Sequence, residues 1–208
     1  MAVRWQVSPL NLKQPRYLLL AAAFLLPPVA LAAKLEVQVQ NSIGQPMAGA
    51  VVFLESAAAS AAVTPVATAQ IIQRDTTFIP EVLVIPRGSA VTFPNKDTVR
   101  HHVYSFSAIK PFELKLYVGT PTDPVVFEQS GVAALGCNIH DQMIAWVVVL
   151  DTPYYSHTNN DGLAVLSNVP PGDYTLRVWH KTLLSEADVA KQPLSLSSKT
   201  PLQQVKLK

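Results

Sequence analysis

The feature that most constrains the fold is a succession of short apolar or alternating runs, each bounded by turn residues. The runs occupy residues 35–39, 51–54, 82–85, 91–93, 125–127, 144–150, 163–166 and 174–179. Turn-forming Gly, Pro, Asn and Asp separate them at 44–46, 86–88, 159–162 and 170–173. After residue 33 the sequence carries no long apolar stripe of helical period. Short strands at such spacing predict an all-β protein built as an antiparallel sandwich or barrel.

The first 32 residues have the pattern of a secretory signal. Arg16 precedes the apolar run at 17–26, and a Pro pair then leads to Ala30 and Ala32, an A-x-A ending. The run is shorter than the roughly 20 residues that a membrane-spanning helix needs. We therefore expect residues 1–32 to be a signal peptide cleaved near Ala32, which places the protein in the periplasm without a stable membrane span. The alternative is an uncleaved membrane anchor.

Composition excludes several classes of protein. With 49% hydrophobic and 14% charged residues, the chain is too apolar for a disordered protein. Three of its 16 basic residues lie in the signal, and the remaining 13 face 14 acidic residues without a basic stripe, so a nucleic-acid partner is not expected. One cysteine cannot form a disulfide within the chain. In an oxidising compartment a lone thiol is buried, reactive or bound to a metal.

The exported chain is expected to divide into an inner block and two outer segments. An Ala/Ser/Thr-rich stretch at 56–69 has the composition of a linker, and a second break falls at 151–153. These breaks leave 34–55 and 154–208 as outer segments around an inner block at 66–151.

One loop of the inner block carries potential metal chemistry. Cys137, His140 and Met143 form a C-x2-H-x2-M motif between the run ending at Gly136 and the strand predicted at 144–150. So tight a loop cannot enclose a metal alone, and the His101-His102 pair about 35 residues upstream offers a further ligand. Two imidazoles, one thiolate and a weak axial thioether are the donor set of a blue-copper site. Structural zinc sites use no thioether.

The inner block resembles the cupredoxin family, in particular its plastocyanin-like and amicyanin-like blue-copper members. The resemblance spans about residues 70–151. It rests on Phe78-Ile79-Pro80, Val82, Val84, Gly88, Val91, Phe93 and Asn95, and on the spacing of Phe127, Gly131, Cys137 and His140. It implies a Greek-key β-sandwich that binds one copper ion, cycling between Cu(I) and Cu(II). The implied equatorial ligands are His101, Cys137 and His140, with Met143 as the axial ligand and His140 as the point of electron entry.

Two assignments near this site stay open at the sequence level. The family's upstream ligand usually reads His-Asn-Val, whereas this chain has His101-His102-Val103. His101 fits the ligand position better, but a slip of one residue would make His102 the ligand, because alternate strand residues face opposite ways. Asn138 is either a residue that orients the thiolate or an ordinary turn residue. The carboxylates of Asp97 and Asp141 are expected to be solvated loop groups.

The outer segments resemble the two halves of a carboxypeptidase-regulatory-like β-sandwich module. The similarity comes from a G-x-P-x-x-G pattern at 44–49 and from the stretch 158–178. If both halves form one module, the copper domain is inserted between its strands, and insertion at loop tips is a tolerated arrangement. The alternative is a simple tail of strands packed on the copper domain.

These patterns lead to one functional expectation. The protein is expected to be an exported mononuclear type 1 copper protein that carries single electrons and is not an enzyme. Its partner would be a redox protein such as a cytochrome c or an amine dehydrogenase, since the short Met spacing looks most like amicyanin and hints at amine (methylamine) oxidation. The alternatives are a copper-handling protein and a surface interaction module.

Overall fold

The computed structural model describes residues 1–3, 32–183, 185 and 188–208, and over these the prediction of an all-β protein is confirmed. The signal predicted at 1–32 lies almost wholly outside the described residues. The strands are β1 Ala33–Gln40, β2 Val51–Glu55, β3 Ala69–Gln70, β4 Ile72–Arg74, β5 Thr77–Ile79, β6 Val82–Pro86, β7 Ser89–Thr92, β8 His101–Ser105, β9 Phe112–Tyr117, β10 Val125–Phe127, β11 Gly131–Gly136, β12 Ile144–Leu150, β13 Tyr155–His157, β14 Leu163–Val169, β15 Gly172–Trp179, β16 Ala190–Leu196 and β17 Gln203–Lys206. The helix α1 spans Ala57–Ala61. Within the described residues, no helix is long and apolar enough to span a membrane.

Strands from the two outer segments pair with one another across the length of the chain. One sheet has the order β14-β1-β17 and the other the order β13-β2-β15-β16, and a buried apolar core lies between them. Gly162 brings the two segments together at the edge of β1. A Cβ atom there would lie 2.5 Å from the Val39 carbonyl oxygen, and the residue has a φ of +72°, so the position requires glycine.

The inner block forms a second pair of sheets around its own core. A five-stranded sheet has the order β6-β12-β11-β8-β9 and faces a three-stranded sheet of order β10-β7-β3, with the β4–β5 hairpin alongside. In the larger sheet the neighbouring strands β6 and β12 run parallel, with Trp146 of β12 opposite Val82 of β6. Aromatic and branched side chains fill the space between the two sheets, and Cys137 and Met143 are part of this core.

A third apolar layer joins the two pairs of sheets. Val147 and Val149 of β12 face the inner core, whereas Val148 and Leu150 face outward against β2 and β15. In the same layer the Trp146 and Trp179 rings lie 6.5 Å apart, centroid to centroid. Burial on both faces explains why β12 is apolar at every position rather than alternating. The four sheets therefore stack as continuous layers.

The stretch 56–69, interpreted from its composition as a linker, contains the short helix α1. Ser56 caps it by accepting a hydrogen bond from the Ala59 amide at 3.1 Å. Ala59 is buried against the core of the outer sheets, which gives the helix an apolar anchor that composition alone does not indicate.

Candidate metal centre

The loop with the C-x2-H-x2-M motif connects two neighbouring strands of the five-stranded sheet. β11 ends at Gly136 and β12 begins at Ile144, as the sequence predicts. Within the loop the Met143 amide donates to the His140 carbonyl at 2.9 Å, which closes a tight turn. The Tyr104 ring packs over Gly136, where a Cβ atom would lie 2.7 Å from it. The ligand loop is thus held at both of its ends, by the Tyr104 ring at Gly136 and by the turn at His140 and Met143.

His101 enters the site from the first residue of β8. The preceding loop is organised by Asn95, whose side-chain amide donates to the Val99 and Tyr117 carbonyls at 2.9 Å each. β9 pairs with β8 and sets Tyr117 opposite His101. The backbone that carries the His101 side chain therefore lies between a hydrogen-bonded loop and a paired strand.

These two elements bring three potential ligands together. One ligand atom each from His101, Cys137 and His140 all lie within 4.8 Å of one another. The His101 and His140 rings are 5.0 Å apart between centroids and 63° apart in plane. His101 is fully buried, Cys137 is 4% exposed, and His140 is half-buried. Met143, 1% exposed, lies in the same core cluster as Cys137.

Unpartnered nitrogen atoms mark this cluster as a ligand site. The Nδ1 atoms of His101 and His140 are buried and have no hydrogen-bond partner among the described residues, and outside the cluster the same holds for Nδ1 of His102. Leaving a buried polar atom unpaired costs about 1–3 kcal/mol. Two such atoms beside a buried thiol fit a metal that prefers nitrogen and sulfur ligands, and a mixed imidazole–thiolate set is typical of copper or zinc.

His102 lies on the opposite face of β8, away from the cluster. Its Nε2 atom is 2.8 Å from the Glu113 carboxylate, and its ring packs 5.6 Å from that of Tyr104. Between the two histidines considered at the sequence level, the structure thus brings His101, and not His102, to Cys137 and His140. Asn138 lines an open cleft with His102 and Glu113, and its exposed side chain makes no hydrogen bond to the described residues.

The interpretation of Asp97 as a solvated carboxylate is wrong. Its side chain is 13% exposed, and its Oδ2 atom lies 2.7 Å from His101 Nε2. Burial alone would raise the pKa of Asp97, but the hydrogen bond with His101 and those from the Thr76 and Asp75 amides outweigh burial and lower this pKa. No local sequence pattern indicated this contact, because residues four apart are neighbours in a helix and Asp97 lies in a loop before a strand. Asp141, in contrast, is exposed as expected.

Tyr117 and Gln73 form a buried polar pair beside the cluster that the sequence did not reveal. The Tyr117 hydroxyl donates to the Phe93 carbonyl at 2.6 Å and accepts a hydrogen bond from the Gln73 amide. Burial raises the pKa of Tyr117 to about 12; the Gln73 hydrogen bond opposes this rise, and the electrostatic interaction with Cys137 adds to it. The phenol is therefore neutral at physiological pH, and its two hydrogen bonds link Gln73 to the Phe93 backbone.

The four predicted ligands are largely enclosed by the protein. His101, Cys137 and Met143 are buried, and His140 alone among the four predicted ligands reaches the surface. Catalytic metals keep a coordination position open to substrate or water. A cluster enclosed by core side chains, with one ring at the surface, gives a small molecule little room to approach.

Comparison with known proteins gives partial similarities to copper proteins. A purple cupredoxin from Nitrosopumilus maritimus is 29% identical, and the match covers 39% of this chain and 99% of that one at a TM-score of 0.36. A copper-containing nitrite reductase from Thermus scotoductus SA-01 is 23% identical over 42% of this chain and 23% of its own, at a TM-score of 0.38. A variant of amicyanin in the reduced Cu(I) form is 21% identical over 48% of this chain and 98% of its own, at 0.35.

No protein-family model and no curated protein matches the chain. The similarities to solved structures are partial and weak, so the site is interpreted from its own geometry.

Proposed function

We propose that this protein is a cupredoxin-like, mononuclear type 1 copper protein that is exported to the periplasm and carries single electrons between redox partners. The observation that carries the proposal is the convergence of His101, Cys137 and His140 within 4.8 Å, with both histidine Nδ1 atoms unpartnered. Met143, in the same buried cluster as Cys137, would be the weak axial ligand. One thiolate, two imidazoles and one thioether bind one copper ion per chain.

The bound copper would supply one-electron exchange between Cu(I) and Cu(II), and the chain's own residues make that exchange easy. His101 begins a paired strand, and Cys137 and Met143 are fixed in the apolar core, so the donors keep one arrangement in both oxidation states. Close packing of this kind resists rearrangement. Core side chains also exclude water from the thiolate.

His140 would be the point of electron entry and exit, because it is the half-buried member of the set. Exposed apolar side chains lie at this end of the inner block: Ile139 on the ligand loop, Val99 on the loop before His101, and Leu116 and Val118 at the end of β9. Such an apolar rim suits brief docking of a redox protein, such as a cytochrome c or an amine dehydrogenase, over the His140 ring. Amine oxidation is the process that the short Met spacing favours.

The decisive experiment is voltammetry of the copper-loaded protein together with the rate at which a Cu(I) chelator removes the metal. An electron carrier gives a reversible one-electron couple over many cycles and releases copper far more slowly than it cycles. Rapid transfer of copper to the chelator would instead favour copper handling, and failure to bind copper would favour an interaction module. Either result overturns the proposal.

A further inference from the structure

Asp97 connects a hairpin turn of the inner block to the predicted ligand His101. Its Oδ1 atom accepts a hydrogen bond from the Asp75 amide at 2.7 Å. Its Oδ2 atom accepts from the Thr76 amide at 3.1 Å and lies 2.7 Å from His101 Nε2. Three donors therefore surround one carboxylate that is almost wholly removed from solvent.

The turn that supplies the two amides is held in an unusual backbone conformation. Asp75 and Thr76 link β4 to β5, where Arg74 pairs with Thr77, and their φ angles are +53° and +52°. A two-residue hairpin turn with positive φ at both positions is common for Asn and Gly, but costly for a β-branched residue such as Thr76. Such conformations persist where surrounding contacts compensate for the strain, and here both amides point at Asp97.

The carboxylate is also positioned from the side of its own loop. The Asp97 amide donates to Asn95 Oδ1 at 2.9 Å, while the side-chain nitrogen of Asn95 bridges two backbone carbonyls. Asn95 is itself 4% exposed. The loop and the hairpin together fix the carboxylate independently of any metal.

The consequence for His101 is a defined tautomer. An ionised carboxylate can accept hydrogen bonds but cannot donate them. Nε2 of His101 must therefore carry the hydrogen and donate the hydrogen bond to Asp97. Nδ1 then bears the free electron pair, and this buried, unpartnered atom is the ring nitrogen left to act as a ligand beside Cys137 and His140. A neighbouring carboxylate also makes an imidazole a stronger donor to a metal.

We propose that Asp97 is a positioning residue that fixes the ring and tautomer of His101 and lowers the reduction potential of the site. The inference rests on the proposed function. The negative charge of Asp97, passed through the hydrogen bond to the imidazole, favours Cu(II) over the less charged Cu(I). The β4–β5 turn supplies no ligand, but it contributes to the reduction potential because its two amides hold the Asp97 carboxylate in place.

The test compares wild type with Asp97→Asn, which keeps the shape of the side chain and removes its charge. Nitrogen NMR of the metal-free wild-type protein is expected to show His101 protonated at Nε2 and free at Nδ1. In the copper-loaded variant the affinity for Cu(II) is expected to fall about tenfold relative to that for Cu(I). That ratio corresponds to a rise in reduction potential of about 59 mV for one electron.

Asp141→Asn is the matched control, because it removes an exposed carboxylate next to His140 that has no hydrogen bond to a ligand in the described residues. Its effect on the potential is expected to be clearly smaller. If Asp97→Asn does not fold, Asp97→Glu keeps the charge but displaces the carboxylate, and it should shift the His101 nitrogen signals while leaving those of His140 in place.

Two results would overturn the inference while the proposed function stands. The first is a metal-free wild-type protein in which His101 is protonated at Nδ1. The second is an intact copper–thiolate band with equal potentials in Asp97→Asn and Asp141→Asn. Absence of any copper–thiolate band would instead remove the proposed function, and the NMR measurement would then still decide whether Asp97 positions His101.

Discussion

The imidazole rings of His101 and His140 lie 5.0 Å apart although one begins β8 and the other lies on the loop between β11 and β12. Their approach depends on the pairing of β11 with β8, in which Gly136 stands opposite Tyr104. The residue after Gly136 is Cys137, so one strand pair sets the positions of the thiolate and both rings. The site is thus a consequence of sheet register.

The two adjacent histidines of β8 should behave differently when replaced. His101→Gln removes an imidazole that belongs to the cluster, so we expect loss of the copper–thiolate absorption band and a large fall in Cu(II) affinity. His102→Gln alters only the opposite face, where the ring contacts Glu113, and should retain the band. Visible absorption during Cu(II) titration of both variants checks this. Equal loss of the band in both would contradict the assignment of His101.

Met143→Leu tests the axial position. The two side chains have similar volumes, so the substitution in the core should cost less than about 1.5 kcal/mol of unfolding free energy. Loss of a weak thioether donor destabilises Cu(II) more than Cu(I), so the reduction potential should rise while the thiolate band stays. Met47→Leu makes the same change between β1 and β2, where Met47 packs against the core of the outer sheets, and should leave the potential unaltered. Equal potentials in wild type and Met143→Leu would show that Met143 is not a ligand.

The sequence predicted β6, β7, β10 and β12 of the inner block and the position of the ligand loop, because these depend on local patterns. Short apolar runs and turn residues mark these strands, and the loop begins after Gly136 as expected, whereas the sequence did not reveal β3, β4, β5 or β9. It did not predict the role of Asp97, since that depends on a hairpin more than 20 residues away in the chain folding against it. Nor could the apolar run of β12 reveal that its second face packs on β2 and β15.

The choice between His101 and His102 shows the same limit. A one-residue slip exchanges the two faces of a strand, and only the pairing of β8 with β9 and β11 fixes which ring faces inward. The family-like His-x-Val spacing favoured His101, which is the histidine that the structure brings to Cys137. The irregular register between His101 and Val103 arises from the pairing of β8 with β9, and the sequence pattern does not reveal it.

Tyr117→Phe should destabilise the protein without abolishing the site. The hydroxyl donates to the Phe93 carbonyl and accepts from Gln73, and the substitution removes both hydrogen bonds. Gln73 Nε2 still donates to the Phe93 carbonyl at 3.1 Å, so the cost is that of two lost hydrogen bonds, about 1–3 kcal/mol. Because the pKa of Tyr117 is raised to about 12, the contribution of its proton is fully present below pH 10 and is lost as the pH rises through about 12. Urea unfolding and an ultraviolet titration of the phenols measure both effects.

Tyr104→Phe is the control for Tyr117→Phe, since the Tyr104 hydroxyl has no hydrogen bond to the described residues. An equal loss of unfolding free energy in the two variants would contradict the prediction.

Asp151 should make a pH-dependent contribution at the junction of the sheets. Burial alone would raise its pKa, but hydrogen bonds from Arg87 and Ser60 outweigh burial and lower the pKa. A lowered pKa means that the stabilisation is present above the usual value of 3.8 and is lost as the pH falls through the folded-state value.

We therefore expect Asp151→Asn to lower the unfolding free energy by about 0.2–1 kcal/mol at pH 7, as for a partly exposed ion pair, and by less at pH 3. Urea unfolding at the two pH values checks this. The control is Asp161→Asn, which removes an exposed carboxylate and should lower the unfolding free energy at pH 7 by less than Asp151→Asn does. An effect of Asp151→Asn that grows in acid would contradict the prediction.

The most direct measurement is the visible absorption and electron paramagnetic resonance spectrum of the protein with one equivalent of Cu(II), compared with Cys137→Ser. Serine preserves the shape of the buried side chain and removes the thiolate, and circular dichroism confirms that the variant is folded. The account predicts an intense thiolate-to-copper band in the wild type and its loss in Cys137→Ser. A colourless wild-type protein, or a weak band that survives the substitution, would contradict the copper–thiolate site.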